Sequence, residues 1–539
     1  MDRRMKGNKG CIGFGWRFIP IVVLLLAVLL FTGCPPMELR KFIEERVEEA
    51  NKGHDTSPPE VISISPLDGA KDVERELNIT ATFSEEMDEA TINTTTFLVE
   101  DGANAISGTV SYNSSSKKAT FTPDNPLELL KTYFVTITTG VKDLAGNGLA
   151  QEKTWSFTTR YRRWTEPEKI NSLGNIIEEL QIGMAENGKA VVVWEDSNNI
   201  YSNIFSPNPG WSGESWVYGT ADTLSNLNLS VSSTGYAFAI WEELSTNDEI
   251  SAMRYNGSSW EEVTPPFGSD TNPTHPSIAV DDDGNAIAVW ELNDGNEFGI
   301  ACSEYYGGTW NEPYNLSFSS YDGQFSPKIA SDGYNYIAVW EDQSMGEIKA
   351  RRYDGAGWYD EMSAYDMEAP GIAMSPEGRA LAGFVDATTW TDIYIRIYDD
   401  GWQGSGAELL ISKGQPNNGW IALNATPVYW GIVEVGDGDI YVNRRDSAGN
   451  LWRDPSDSEW IGYGWNPQIA VDDSDRVVAV WEGNDGITFS LYNPDEDFWS
   501  EPVVIGQWGS YPQLAMNRDG FAIVVWIDGS DIMASEFME

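Results

Sequence analysis

The chain has 539 residues, with 83 Asp and Glu against 34 Lys and Arg, a formal charge of −49, 23 Trp, 3 Cys and 2 His. Such acidity excludes partners held through phosphates, because nucleic acids and anionic head groups are bound by neutralising their charge with Lys and Arg. Two histidines argue against a poly-His metal centre or a His-based triad, three cysteines cannot make a disulfide framework, and 41% hydrophobic residues over this length predict several domains with sizeable cores.

The amino terminus sets the compartment. Arg3, Arg4, Lys6, Lys9 and Arg17 precede an uncharged apolar run of 14 residues from Phe18 to Phe31. A basic stretch, a short apolar stretch and small residues before a cleavage point predict a secretory signal over residues 1–33. The run is short of the roughly 20 residues a membrane span needs. Leu30-Phe31-Thr32-Gly33-Cys34 resembles a bacterial lipobox, which implies lipid attachment at Cys34, an acyl anchor in a membrane, and a cell-envelope location outside the cytoplasmic membrane. Losing residues 1–33 leaves a charge of −53, and Cys302 then has no partner, as suits an exported protein that does without disulfides. Residues 34–56 read as a charged tether ended at Ser57-Pro58-Pro59.

Residues 57–160 alternate apolar and polar positions in short runs such as Tyr133-Phe-Val-Thr-Ile-Thr-Thr, separated by turn clusters, which predicts an immunoglobulin-like sandwich. Ser65-Pro66-Leu67-Asp68-Gly69, Thr82-Phe83-Ser84-Glu85-Glu86-Met87-Asp88, Asp143-Leu144-Ala145-Gly146-Asn147 and Trp155-Ser156-Phe157 resemble, in order, the bacterial Ig-like domain first described in surface-layer proteins. That resemblance implies a spacer on the cell surface. Glu85, Glu86 and Asp88 are acids able to hold a cation, with a solvated turn as the plainer reading.

Residues 161–539 are one motif repeated. Ile278-Ala-Val-Asp-Asp-Asp-Gly-Asn-Ala-Ile-Ala-Val-Trp290 and Ile469-Ala-Val-Asp-Asp-Ser-Asp-Arg-Val-Val-Ala-Val-Trp481 align, and the final place is held by Trp194, Trp241, Trp290, Trp340, Phe384, Val433, Trp481 and Trp526. Units of 44 to 50 residues with four short strands predict an eight-bladed propeller. The eighth unit stops one strand short, and Arg163-Trp164-Thr-Glu166-Pro167 matches the fourth-strand motif Thr309-Trp310-Asn-Glu312-Pro313, so the first strand after the sandwich is expected to complete the last blade. The repeat tryptophans are expected to fill the wedges between blades rather than to bind sugar.

An acid follows the repeat position: Glu195, Glu242, Glu291, Glu341, Glu434 and Glu482, with Asp386 and Asp528 one residue further on. Adjacent strand residues face opposite sides, so these eight are a candidate ring on one face for a ligand or cation, against the alternative of acids that merely keep the strand ends soluble. Turns such as Asp281-Asp282-Asp283-Gly284-Asn285 lack the bidentate Glu of an EF-hand, so no cofactor is expected, with Ca2+ as the alternative. The hairpin before each fourth strand, as in Ser447-Ala-Gly449-Asn-Leu-Trp452, resembles the Asp-box hairpin of sialidase-type propellers without its Asp, which implies a fold element and no chemistry. Arg254, Arg351, Arg352, Arg396, Arg444 and Arg445 lie mostly in third strands and assemble no site. The whole predicts a non-catalytic envelope lipoprotein binding a glycan or an envelope protein. The alternatives are a carbohydrate-active hydrolase or lyase using two carboxylates of the acidic face, and an assembly scaffold. Blades five and six, where the Trp-Glu pair is lost and Tyr429-Trp430 adds aromatics, are where a pocket would break the repeat.

Overall fold

The computed structural model describes residues 55–538 apart from short internal stretches, the longest being 264–271; the signal segment, Cys34 and nearly all of the tether lie outside the described residues. Among the described residues the chain forms strands and two 3-10 turns, Glu89–Thr91 and Pro455–Asp457, and no helix is long and apolar enough to cross a membrane. It divides into two compact units after Tyr161.

The first unit is a sandwich of two four-stranded sheets. One runs Val61–Ser65, Ile79–Phe83, Lys118–Pro123, Gly108–Asn113, and the other Ala70–Val73, Lys153–Thr159, Thr132–Ile137, Phe97–Glu100. Two-residue alternation turns Ile79, Ala81 and Phe83 of one sheet toward Val135, Ile137, Trp155 and Phe157 of the other, all buried in one core. Phe97 joins the sheets, with its ring 5.9 Å from Phe121 and 6.2 Å from Trp155.

The second unit holds eight antiparallel sheets among the described residues, one for each repeat and each ordered from its first strand outward. We number them as blades 1 to 8; their inner strands are Ile177–Met184, Thr223–Val231, Thr274–Val280, Gln324–Ser331, Met367–Met374, Pro416–Ala425, Trp465–Val471 and Ser510–Met516. Each inner strand touches the next and that of blade 8 touches that of blade 1, so together they wall a central channel. A cavity of about 400 Å³, lined by Asn228, Ser230, Ile278, Val280, Ile329 and Asp332, lies inside that wall.

The repeat tryptophans do what packing requires of them. Trp194, Trp241, Trp290, Trp340, Trp481 and Trp526 are at most 2% exposed, and Phe384 is fully buried. Each lies in the layer between two blades, as Trp241 does against Val191 and Val193 of the preceding sheet. Tyr429 and Trp430 of blade 6 are buried in such layers too, so these aromatics replace missing core volume rather than line an open pocket. The second set of tryptophans packs on the third strands: Trp211, Trp260, Trp310, Trp358, Trp402 and Trp499 sit 5.2–5.6 Å from Phe205, Tyr255, Tyr305, Tyr353, Tyr398 and Tyr492. Trp164 occupies the same place against Phe537, 5.0 Å away. It does so because Arg163–Trp164 and Glu168–Lys169 pair with Asp531–Met538, giving blade 8 its outer strand from the other end of the chain.

Candidate functional site

Register breaks interrupt the inner strands close to their starts, for example between Ser225 and Asn228, Thr274 and Ser277, and Ser510 and Gln513. The residue at the break turns left-handed: Asn226, His275, Ser326, Ala369, Asn466 and Tyr511 have φ between 51° and 56°. For a residue with a Cβ this conformation costs roughly 1–2 kcal/mol, so something must hold it. The repeat acid of the preceding blade does. Glu242 accepts the N–H of His275, Glu291 accepts that of Ser326 at 2.7 Å, and Glu482 accepts that of Tyr511 at 3.3 Å. Between blades 1 and 2 the part is taken by Glu179, which accepts the N–H groups of Asn226, at 2.9 Å, and Leu227.

The acids after the repeat position therefore differ in use. Glu195, Glu242, Glu291 and Glu341 are all less than 10% exposed, Asp386 and Glu482 are half-buried, and Asp528 is exposed. Glu434 lies in the second strand of blade 6, and its side chain is outside those described. Glu242 also accepts from Ser225 Oγ at 3.0 Å and Asn226 Nδ2 at 2.9 Å, and Glu341 from Gln343 Nε2 at 2.9 Å. Glu242 and Glu291 thus bind blade to blade through His275 and Ser326, while the bond of Glu341 stays within its own blade. Glu195 is different: one oxygen accepts the N–H of Asn198 at 2.8 Å, while the other finds no donor and lies against Glu178. Burial first, then the Glu178 charge, raises the Glu195 carboxyl to about 7. A carboxyl raised in the folded state binds its proton where the unfolded chain has lost it, so stability falls as pH rises from about 4.5 through 7. Glu195→Gln should raise the urea midpoint at pH 8 and leave it unchanged at pH 4; equal shifts at both would show that Glu195 does not carry this proton.

Antiparallel pairing puts the starts of the inner strands, the ends of the second strands and the blade-to-blade connections at one end of the channel. The residues at the breaks thus ring one mouth, and their side chains differ around it. From the outer strand of blade 6 to the start of blade 8 the mouth is aromatic. Trp508 is 76% exposed, Tyr511 60%, Tyr463 40% and Trp465 37%, with the Tyr463 and Trp465 rings 5.5 Å apart. Trp481 Nε1 donates to Tyr463 O at 3.1 Å and Asn466 Nδ2 donates to Glu482 at 3.2 Å, tying this sector to the frame beneath it. Trp508 is carried past blade 7 because Gly486 leaves space: a Cβ there would lie 1.9 Å from Gly506 O and 2.8 Å from Trp508 N. On blades 3 and 4, four blades away, the mouth carries His275 and Lys328 instead. At the opposite end the first hairpins interlock, and Arg518 of blade 8 reaches Glu377 of blade 5 at 2.5 Å and Asp473 of blade 7 at 2.9 Å, narrowing that opening.

The remaining sequence candidates fall elsewhere. Asp281 accepts the N–H groups of Asp283 and Asn285 at 3.0 and 2.8 Å, which is the work of a turn residue. Glu85 joins Asp55 and Asp143 in the sandwich, their nearest oxygens within 4.8 Å of one another, an arrangement able to hold a cation; Asp88 caps the neighbouring turn through Ala90 N, at 3.1 Å. Arg444 is enclosed by Trp430, Trp452 and Tyr492, each ring centroid about 5 Å away, and Arg352 donates to Asn335 at 3.0 Å. His275, Lys328 and the aromatic sector are the residues of the mouth that the sequence did not single out.

Among solved structures, the chain resembles the BP39L lectin of Burkholderia pseudomallei at 13% identity, over 63% of this chain and 100% of the lectin, with a TM-score of 0.43. It resembles the Hadza microbial sialidase Hz136 at 10% identity, over 89% and 96%, with a TM-score of 0.36, and the hydrazine synthase of Kuenenia stuttgartiensis at 12%, over 67% and 96%, with 0.39. Likenesses at this level assign neither ligand nor activity. No curated protein sequence matches the chain. Residues 55–159 do match a family, the bacterial Ig-like domain, so the sandwich is a domain of that kind.

Proposed function

We propose that this chain is a cell-envelope lipoprotein, anchored by acyl chains at Cys34 and extended by its Ig-like domain, whose propeller binds a glycan at the aromatic mouth without transforming it. One observation carries the reading: a propeller that hides six repeat tryptophans at 2% exposure or less leaves Trp508, Tyr511, Tyr463 and Trp465 uncovered in one sector. Exposed aromatics gathered in one sector cost hydration free energy and mark a surface that something covers. Flat rings suit the apolar C–H face of a pyranose. A glycan array probed with the purified propeller tests this. Trp508→Ala should weaken a retained glycan roughly 30-fold, from ~2 kcal/mol of lost apolar burial. Retention of no glycan, or unchanged affinity in the variant, would refute it. Cys34→Ala should move the full chain from the membrane fraction to the soluble one, and continued membrane attachment would remove the lipoprotein part.

A further inference from the structure

The register of the inner strands brings a lone cation to the mouth. Asn228, Ser277 and Lys328 hold the same place in blades 2, 3 and 4, each paired with the residue before the repeat Trp: Ile240, Val289 and Val339. Asn228 Oδ1 accepts the N–H of Ile278 at 3.1 Å, and Ser277 Oγ that of Ile329 at 3.3 Å, so side chains at this place run along the channel wall to the next blade. An ammonium has no lone pair with which to do the same. Lys328 stays exposed to channel water, and among the described residues no carboxylate forms an ion pair with it, in a chain with 83 acids. Enough protein surrounds it that desolvation lowers its pKa, against the opposing pull of the Glu291 charge. An exposed ammonium that forms no ion pair keeps its three donors for an anion that reaches it.

Its neighbour is His275. The ring donates from Nδ1 to Glu291 Oε2, 3.2 Å away, and the side chain is 55% exposed. The hydrogen bond to Glu291 raises its pKa, favouring the charged ring, and Lys328 is near enough to oppose that. Glu242 and Glu291 are the acids at this spot. Glu242 has three donors, and Glu291 has Ser326 N, the imidazole and Thr274 Oγ1 at 3.1 Å. Those bonds occupy both carboxylates, while Lys328 and His275 remain exposed.

We infer that Lys328 and His275 form a subsite for a sugar carboxylate, so that the glycan bound at the mouth is acidic, of the uronic or sialic type. The inference rests on the glycan-binding reading above. Because four blades separate this subsite from the aromatic sector, the ligand engages both as an oligomer.

Titration calorimetry at low salt with matched pairs tests it: oligogalacturonate against its carboxyl-reduced form, and sialyllactose against lactose. The wild-type chain should bind the acidic member about tenfold tighter, as one charge-assisted contact implies. Lys328→Gln should abolish that preference while keeping affinity for the neutral member, and Lys328→Arg should retain it. Equal affinity for both members in the wild-type chain, or a preference that survives Lys328→Gln, overturns the subsite and leaves the glycan platform standing. No binding of any probe overturns both.

Discussion

Removing Asp531–Glu539 should abolish the cooperative melting of the propeller. That segment is the third strand of blade 8, and it holds both of the strands that the chain returns from its other end, at Arg163–Trp164 and Glu168–Lys169. Ile532 and Ala534 are fully buried and Phe537 is 5% exposed, between Trp164 and Phe489. Each large apolar side chain of this kind contributes roughly 1.5–3 kcal/mol by burial, and every ladder bond lost leaves open strand edges. A propeller has no alternative partner for those edges, because closure is what removes them. Natural domains are stable by only about 5–15 kcal/mol, so losses on this scale exceed what the ring can absorb. Scanning calorimetry of the full chain and the truncated one checks this. The truncated chain should show only the transition of the Ig-like domain, whose core is separate, and should aggregate. A propeller transition kept within a few degrees would show that the ring does not depend on closure. Phe537→Ala is the milder version and should cost ~3–4 kcal/mol, since it strips one aromatic from Trp164 without removing the ladder.

The sequence made this closure readable because it left one repeat a strand short and supplied the missing motif elsewhere. Periodicity of 44 to 50 residues and the alternation within each unit are local signals, and both survive in the fold. The acids behind the repeat Trp were equally easy to find, and their position on one face follows from alternation alone. Their use was not readable. Whether Glu242 meets solvent or the N–H of His275 depends on how the next blade abuts the strand, and no spacing within one repeat encodes that. The aromatic mouth was hidden for another reason. Two tryptophans per blade are a folding element, and that regularity absorbs most of the 23. Trp465 and Trp508 stand at neither repeat place, but so do Trp216, Trp420, Trp430 and Trp460, so subtracting the repeat does not single them out. In sequence a single imidazole suggests no metal or triad; the setting of His275 arises from a left-handed break that precedes Pro276 and from Glu291 on the adjacent strand.

Glu242→Ala should be the most damaging single change at the mouth. The carboxylate accepts from Ser225, Asn226 and the backbone of His275, and it is 3% exposed. Its removal leaves three donors without partners in a place water enters poorly, at ~1–3 kcal/mol for the worst of them, and releases the left-handed backbone of His275. A net loss of ~3 kcal/mol is expected, or a fall of roughly 4 °C in melting temperature for a unit of this size. Glu242→Gln keeps one acceptor and should cost about half as much. Asp528→Asn removes an exposed acid from the equivalent end of blade 8 and should stay within about 0.5 kcal/mol. This comparison separates two physical roles for acids that look alike in sequence. If the acids served only to keep strand ends soluble, Glu242→Ala and Asp528→Asn would melt alike. If they join blades, the buried member fails and the exposed one does not. The failure should also spread beyond stability, because His275 is positioned by the bond that Glu242 accepts. An anionic oligomer retained by the wild-type mouth should lose affinity in Glu242→Ala even at temperatures where the variant is folded.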